Sequence, residues 1–321
     1  MSYQEWYDMN GESSHDQPQQ FQFLYKVQKT KENYSFAIKS ILIKKNVNKM
    51  KTWSNTQIQN HIEAAEKLSL IKDEVALFIK LKKEIYEKDV VDFVKKSYKK
   101  QGLINDDKKE FGIVAFGINT KEVHYFPKGK GLKLKPNTLI LLDIWARLNK
   151  TNSLPIHKSQ RNLKLNETNK SKDFCLGPYA DMTWMFYFGN KIPNEIQNKW
   201  KILSQSRDMA LEYIEKEIFE NKYPRGLDVD RISHDVIGGA GFGESIRHTI
   251  GHSLGFKSPH GDLPGINWRE YSPILKNVGY TIEPGMYFAK FGMRTEIDFY
   301  ISEENKVIIT TPIQKEIETI S

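Results

Sequence analysis

Three histidines, His248, His252 and His260, occupy the segment RHTIGHSLGFKSPHG, and Glu283, Arg294, Glu296 and Asp298 follow in YTIEPGMYF and FGMRTEIDFYI. So many titratable groups in so apolar a setting read as part of a metal site. Two further carboxylates sit in runs of strand character, Asp143 in TLILLDIWARL and Asp181 in GPYADMTWMFYFG. A carboxylate there is costly to bury unless it is paired or bound to a cation. The set Asp143, Asp181, His252, Glu283 and Glu296 offers four carboxylates and one imidazole, which suits two ions such as manganese, cobalt or iron. It suits structural zinc poorly, because the one cysteine, Cys175, lies in no spaced pattern. Arg294, Glu296 and Asp298 alternate, so one strand would aim all three the same way, and Asp298 either orients the site or pairs with a lysine. The four-residue step from His248 to His252 serves a helix or a strand, and Gly251 and Gly255 favour the extended option. His124, alone in KEVHYFP, reads as structural until other groups join it.

These groups need elements to hold them. Ile58, Ile62, Ala65, Leu68, Ile71, Val75, Phe78 and Leu81 recur at steps of three and four, predicting a helix that Ser54 or Asn55 caps. A second helix is expected over Asp89 to Lys100, stopped by Gly102. The run FGIVAFGIN, Phe111 to Asn119, reads as a buried strand, and the two aspartate-bearing runs read as a hairpin. Between them, residues from about 149 to 172 are Lys- and Asn-rich and read as an exposed insertion. A long amphipathic helix is expected from Pro193 to Lys222, and a shorter one from Val229 to Ile237 that carries His234 as a surface or capping residue. The glycine-rich GAGFGES follows a helix, so its reading as a phosphate cradle is weak, and neither a dinucleotide nor a Walker motif is present.

Hydrophobic residues make up 39% and charged residues 27%, a globular balance rather than that of a disordered chain. The first twenty residues show no basic start followed by an apolar stretch, so the expectation is a cytoplasmic protein with no membrane association. The net charge of +8 raises nucleic acid as a partner, but the lysines are scattered and lack aromatic interleaving, which disfavours that role.

The segments FGIVAFGINTKEVHY, LILLDIW, YADMTW, IRHTIGHSLGFKSPHG, TIEPGMYF and FGMRTEIDFYI resemble the catalytic domain of the pita-bread metallopeptidases, which include methionine aminopeptidases, Xaa-Pro aminopeptidases and prolidases. The resemblance covers about residue 55 to the C-terminus. It implies an α/β (α+β) fold, with a curved, mostly antiparallel sheet and helices on its outer face, preceded by an arm over 1–54. It also implies two divalent ions, manganese foremost, with cobalt, iron or zinc as alternatives. By the same resemblance Asp143 chelates one ion, His252 and Glu283 hold the other, and Asp181 and Glu296 bridge them. Glu283 then relays a proton, His248 and His260 face the substrate, and His124 lines the pocket wall. Arg294 is similar to the arginine of the Xaa-Pro branch. The implied activity is metal-dependent exopeptidase cleavage of a peptide near its N-terminus, with proline at the second position. The family's habit is a homodimer.

The chain departs from the family pattern in three ways. Asp143 and Asp181 stand much further apart than usual, Ile144-Trp145-Ala146 replaces a glycine-containing sequence, and Thr183-Trp184 replaces Thr-Arg. The last two changes reshape the pocket wall and with it the substrate preference. The stretch before residue 55 is too short for the separate N-terminal domain of the larger relatives, so a pocket that is more open, or closed differently, is expected. The alternatives are a non-catalytic pita-bread module that binds protein or nucleic acid, and a creatinase-like hydrolase that needs no metal. The five acidic and imidazole ligands argue against both.

Overall fold

The computed structural model describes residues 52–106, 112–149 and 177–321. The expected arm, through residue 51, and the expected insertion, from residue 150, lie outside the described residues.

Helix α1, Asn55–Leu81, starts where the sequence predicts. Ser54 accepts from the Gln57 N–H, and Gln57 answers with a bond to the Ser54 backbone, closing a capping box. Helix α2, Glu87–Gln101, stops at Gly102, whose φ of 69° is the left-handed conformation that glycine adopts freely. After β1, Leu103–Ile104, and β2, Ile113–Phe116, comes the hairpin of β3, Thr138–Leu148, and β4, Ala180–Phe188. Strand β2 is shorter than FGIVAFGIN promises, because Gly117 turns the chain at φ 54° into a 3₁₀ turn over Gly117–Lys121.

Strands β3 and β4 run antiparallel, with β2 and β1 on the outer side of β3 and the C-terminal β10, Glu318–Ile320, parallel to β4. Alternation divides the hairpin cleanly. Ile140, Leu142, Ile144, Ala146, Met182 and Phe186 point to one face, where Leu68, Ile71, Val75 and Ile79 of α1 and Val90 and Val94 of α2 bury against them. Apart from Ala146, each such side chain contributes about 1.5–3 kcal/mol of burial. The other face carries Asp143, Trp145, Asp181 and Thr183, with Asp143 opposite Thr183 and Trp145 opposite Asp181. Leu81 ends the predicted stripe but stays 73% exposed, beyond the reach of the sheet.

Helices α3, Asn194–Phe219, and α4, Gly226–Gly239, pack on each other. The remaining strands are β5, Gly279–Ile282, β6, Gly285–Tyr287, β7, Gly292–Arg294, β8, Ile297–Ile301, and β9, Val307–Ile309. Strand β5 pairs with β8 and β6 with β7, all antiparallel. The single strand expected to carry Arg294, Glu296 and Asp298 is therefore broken after Arg294. Pro284, opposite the break, has no N–H for the ladder. The register continues across it, since Ile282 pairs with Ile297 and Gly285 with Arg294, so the alternation survives. No helix among the described residues is long and apolar enough to cross a membrane.

Candidate metal centre

A cavity of about 870 Å³ opens beside the inner face of the hairpin, and Asp143, Asp181, His252, Glu283 and Glu296 all line it. Asp181, His252 and Glu296 come together most closely, each offering a ligand atom within 4.8 Å of the others. His252 Nε2 lies 3.2 Å from Glu283 Oε1 and 3.9 Å from Asp181 Oδ2. Asp143 is turned to Arg294, whose Nη2 binds Asp143 Oδ2 directly. The distant hairpin thus supplies two carboxylates and the C-terminal half supplies the rest.

The segment from Ile250 to Leu254 runs extended alongside β5, as Gly251 and Gly255 foretold, whereas His248 sits in a bend before it. Gly251 exchanges backbone bonds with Ile266 and passes so near β5 that a Cβ would strike the Thr281 carbonyl. His252 Nδ1 donates to the Ser253 carbonyl at 3.0 Å, which fixes the tautomer and leaves the Nε2 lone pair facing the acids in the neutral ring. Burial disfavours charge on His252, but the Glu283 bond and charge outweigh it and raise its pKa. Burial likewise disfavours the Glu283 carboxylate, and the bond to His252 overcomes this and holds it well below the usual range.

The other acids go the opposite way. Burial, then the charge of Glu296, pushes Asp181 well up; burial, then the charge of Glu283, does the same to Glu296. Asp143 is raised by burial against the opposing pull of Arg294. Five carboxylates, with Asp298 included, thus crowd around one guanidinium, that of Arg294, and the His252 imidazole, with His248 and His124 further off. Asp143 Oδ1, Asp181 Oδ1 and Asp298 Oδ1 are buried without a hydrogen-bond partner. So many buried carboxylates must be neutralised by protons or by cations, and oxygen and imidazole donors without thiolate fit a hard divalent ion. The residues present therefore fit the metal that the sequence implies.

The remaining predicted groups surround this cluster. His248 Nδ1 donates to the Thr249 carbonyl at 2.8 Å, so its Nε2 accepts from the Tyr287 hydroxyl, also at 2.8 Å. Burial pushes His248 down to about 4, which keeps it neutral near pH 7. His260 stacks on His252 with ring centroids 4.0 Å apart, and His124 stands exposed on the opposite wall. Arg294 also donates to Thr183 Oγ1, at 3.1 Å, and to the Val123 carbonyl and Tyr287 hydroxyl, both at 3.3 Å. Among the described residues no lysine pairs with Asp298; its Oδ2 accepts from the Asp181 N–H at 2.8 Å. His234 lies outside the cavity but has an acidic partner that the sequence reading missed, Asp230 Oδ2 at 3.2 Å from its Nδ1.

Several contributors were not anticipated. Thr183 donates to Glu296 Oε2 at 2.8 Å while accepting from Arg294, and its period-two spacing from Asp181 was the available signal. Tyr287 bridges His248 and Arg294. His61 sits on the apolar stripe of α1, three residues after Ile58 and four before Ala65, and that placement marks it as buried.

The family model of metallopeptidase family M24 matches residues 59–153 and 174–303. An uncharacterized peptidase of Staphylococcus epidermidis is 26% identical over 233 residues, 72% of this chain and 54% of that protein. An uncharacterized peptidase of Staphylococcus haemolyticus is 25% identical over 260 residues, 80% of this chain and 62% of that protein. The chain thus spans little more than half the length of the first of these relatives. Among solved structures, the X-Pro aminopeptidase from Thermotoga maritima shares the fold with a TM-score of 0.65 at 22% identity, over 84% of this chain and 64% of that one. The recombinant prolidase from Thermococcus sibiricus does so with a TM-score of 0.66 at 22% identity, over 84% and 62%.

Proposed function

This chain belongs to metallopeptidase family M24, and on that premise we propose that it is a dinuclear metal-dependent exopeptidase that removes the residue before a proline at a peptide N-terminus or in a dipeptide. The observation that carries this reading is the convergence of Asp181, His252 and Glu296 within 4.8 Å in the cavity that Asp143 and Glu283 also line. Asp143 would hold one ion, His252 and Glu283 the other, and Asp181 and Glu296 both. Manganese is the first choice, with cobalt, iron or zinc as alternatives. When bound, the ions supply the Lewis acidity that activates water at neutral pH and polarises the scissile carbonyl.

The chain's own groups do the rest. Glu283 Oε1 is engaged by Thr281 Oγ1 at 3.2 Å and by His252, so its second oxygen is left to carry a proton toward the leaving amine. His248 lines the same cavity on the substrate side, held neutral with its Nδ1–H on the Thr249 carbonyl and its Nε2 accepting from the Tyr287 hydroxyl, while His260 and His124 offer imidazole N–H groups to the peptide and to charge developing on the carbonyl oxygen. Arg294 keeps Asp143 in place through their buried pair. A cytoplasmic, homodimeric protein is the setting we propose for this chemistry.

The test is an assay of N-terminal release from Xaa-Pro peptides, with and without added manganese or cobalt, on the wild type and Glu296→Ala. Metal-dependent release that Glu296→Ala abolishes supports the reading. No turnover with any added ion overturns it, and retained turnover in Glu296→Ala overturns the residue assignment.

A further inference from the structure

Strand β4 pairs with β10 only from Phe186 onward, so at its start the edge away from β3 has no strand partner among the described residues. Asp181 lies on this edge, and its N–H would be a buried orphan without a substitute acceptor. Asp298 provides one: Oδ2 accepts the Asp181 N–H at 2.8 Å. Two residues upstream, His61 Nδ1 donates to the Tyr179 carbonyl at 2.9 Å. That bond leaves Nε2 of the neutral ring to meet the Thr310 hydroxyl at 2.7 Å. The Thr310 N–H in turn donates to the Asp298 carbonyl at 2.8 Å, and the Asp298 N–H donates to Thr311 Oγ1 at 2.7 Å.

These bonds close a circuit from α1, through the first residues of β4, to β8 and back. His61 and Asp298 both show 0% exposure, and Thr310 is half-buried. It grips the backbone at Asp181 and two residues before it while leaving the Asp181 carboxylate free of protein donors at Oδ1. We infer that His61 and Asp298 are positioning residues that aim Asp181 into the metal centre, acting through its backbone rather than touching a metal. The inference rests on the reading of Asp181 as a ligand. Hydrogen bonds that orient a ligand from outside the coordination sphere typically affect metal affinity by about 10- to 100-fold.

The test is manganese affinity by calorimetry, a readout independent of turnover, on the wild type, Asp298→Ala, Asp298→Asn, Thr310→Val and Asp181→Ala. Asp298→Asn keeps an acceptor for the Asp181 N–H. Affinity should fall about 10- to 100-fold in Asp298→Ala and stay near wild type in Asp298→Asn. A folded Asp298→Ala with unchanged affinity overturns the inference, as does an equal loss in Ala and Asn variants. If Asp298→Ala does not fold, Thr310→Val opens the same circuit with little change in shape. A several-fold weaker affinity there supports the clamp, and unchanged affinity overturns it. A wild type that binds no manganese removes the metal-centre reading and the clamp with it; tight wild-type binding lost in Asp181→Ala but kept in Asp298→Ala removes the clamp alone.

Discussion

Arg294 and Asp143 form a buried ion pair between strands distant in sequence, Nη2 against Oδ2. With Asp143 opposite Thr183 on β4, and Thr183 accepting from Arg294 Nε, the guanidinium stitches the hairpin to β7 where the carboxylates crowd. Removing the cation strands Asp143 in a buried site. In the metal-free protein, Arg294→Ala should lose about 3–5 kcal/mol of stability. Added manganese should restore part of that loss by taking over the charge. Denaturant melts with and without metal measure both, and an equal loss in the two conditions would count against this role.

Metal removal should matter more at high pH than at low. The raised carboxylates Asp181, Glu296 and Asp298 bind protons in the metal-free fold that the unfolded chain does not hold near neutrality. The metal-free protein therefore gains stability as pH falls toward the unfolded value near about 4, and loses it as pH rises. The raised His252 acts in the same direction above about pH 6.5, and the lowered Glu283 contributes a constant amount above about pH 5. His61 and His248, both pushed down to about 4 by burial, cost stability as pH drops below about 6.5, but do so with or without metal. The rise in Tm on adding manganese should consequently be larger at about pH 8 than at about pH 5.5. A rise that grows toward acid pH would contradict this.

Glu87, at the first turn of α2, is fully buried and accepts from the Phe116 N–H at 2.7 Å, the Tyr125 hydroxyl at 2.6 Å, the Leu132 N–H at 2.6 Å and Asn119 Nδ2 at 3.0 Å. One carboxylate thus ties down both ends of the loop that carries His124. Glu87→Ala leaves the buried Phe116 N–H unmatched, at about 1–3 kcal/mol, and removes the part-buried bonds from Asn119, Tyr125 and Leu132 as well. Hydrogen exchange over residues 117–132 should accelerate while α3 stays protected.

Trp145 shares the inner face of the hairpin with Asp143, opposite Asp181, and its indole lines the cavity beside Ile113 and Tyr179. Trp145→Ala should raise kcat/KM for peptides with bulky residues next to the scissile bond relative to small ones by about tenfold. Profiling a peptide library with both proteins reads this ratio, and an unchanged preference would place the substrate elsewhere.

The elements that position the site were legible because local rules act on them directly. The Ser54 cap, the Gly102 stop and the apolar stripe of α1 need only neighbours in sequence. The facing of Arg294, Glu296 and Asp298 was legible as alternation, whereas the break after Arg294 depends on Pro284 across the ladder and was not. The predicted apolar stripe does not include His61, and its role was not legible, since its partners Tyr179 and Thr310 lie 118 and 249 residues away. The turn of Asp143 toward Arg294 was hidden for the same reason: it is a tertiary pairing across 151 residues.

The central claim is that Asp181 and Glu296, with His252, Glu283 and Asp143, hold two ions. It is tested most directly by elemental analysis of manganese retained per chain after loading and desalting, in the wild type and in Glu296→Ala. The account predicts two ions in the wild type and at most one in the variant. No retained metal in the wild type, or two ions retained without Glu296, would contradict it.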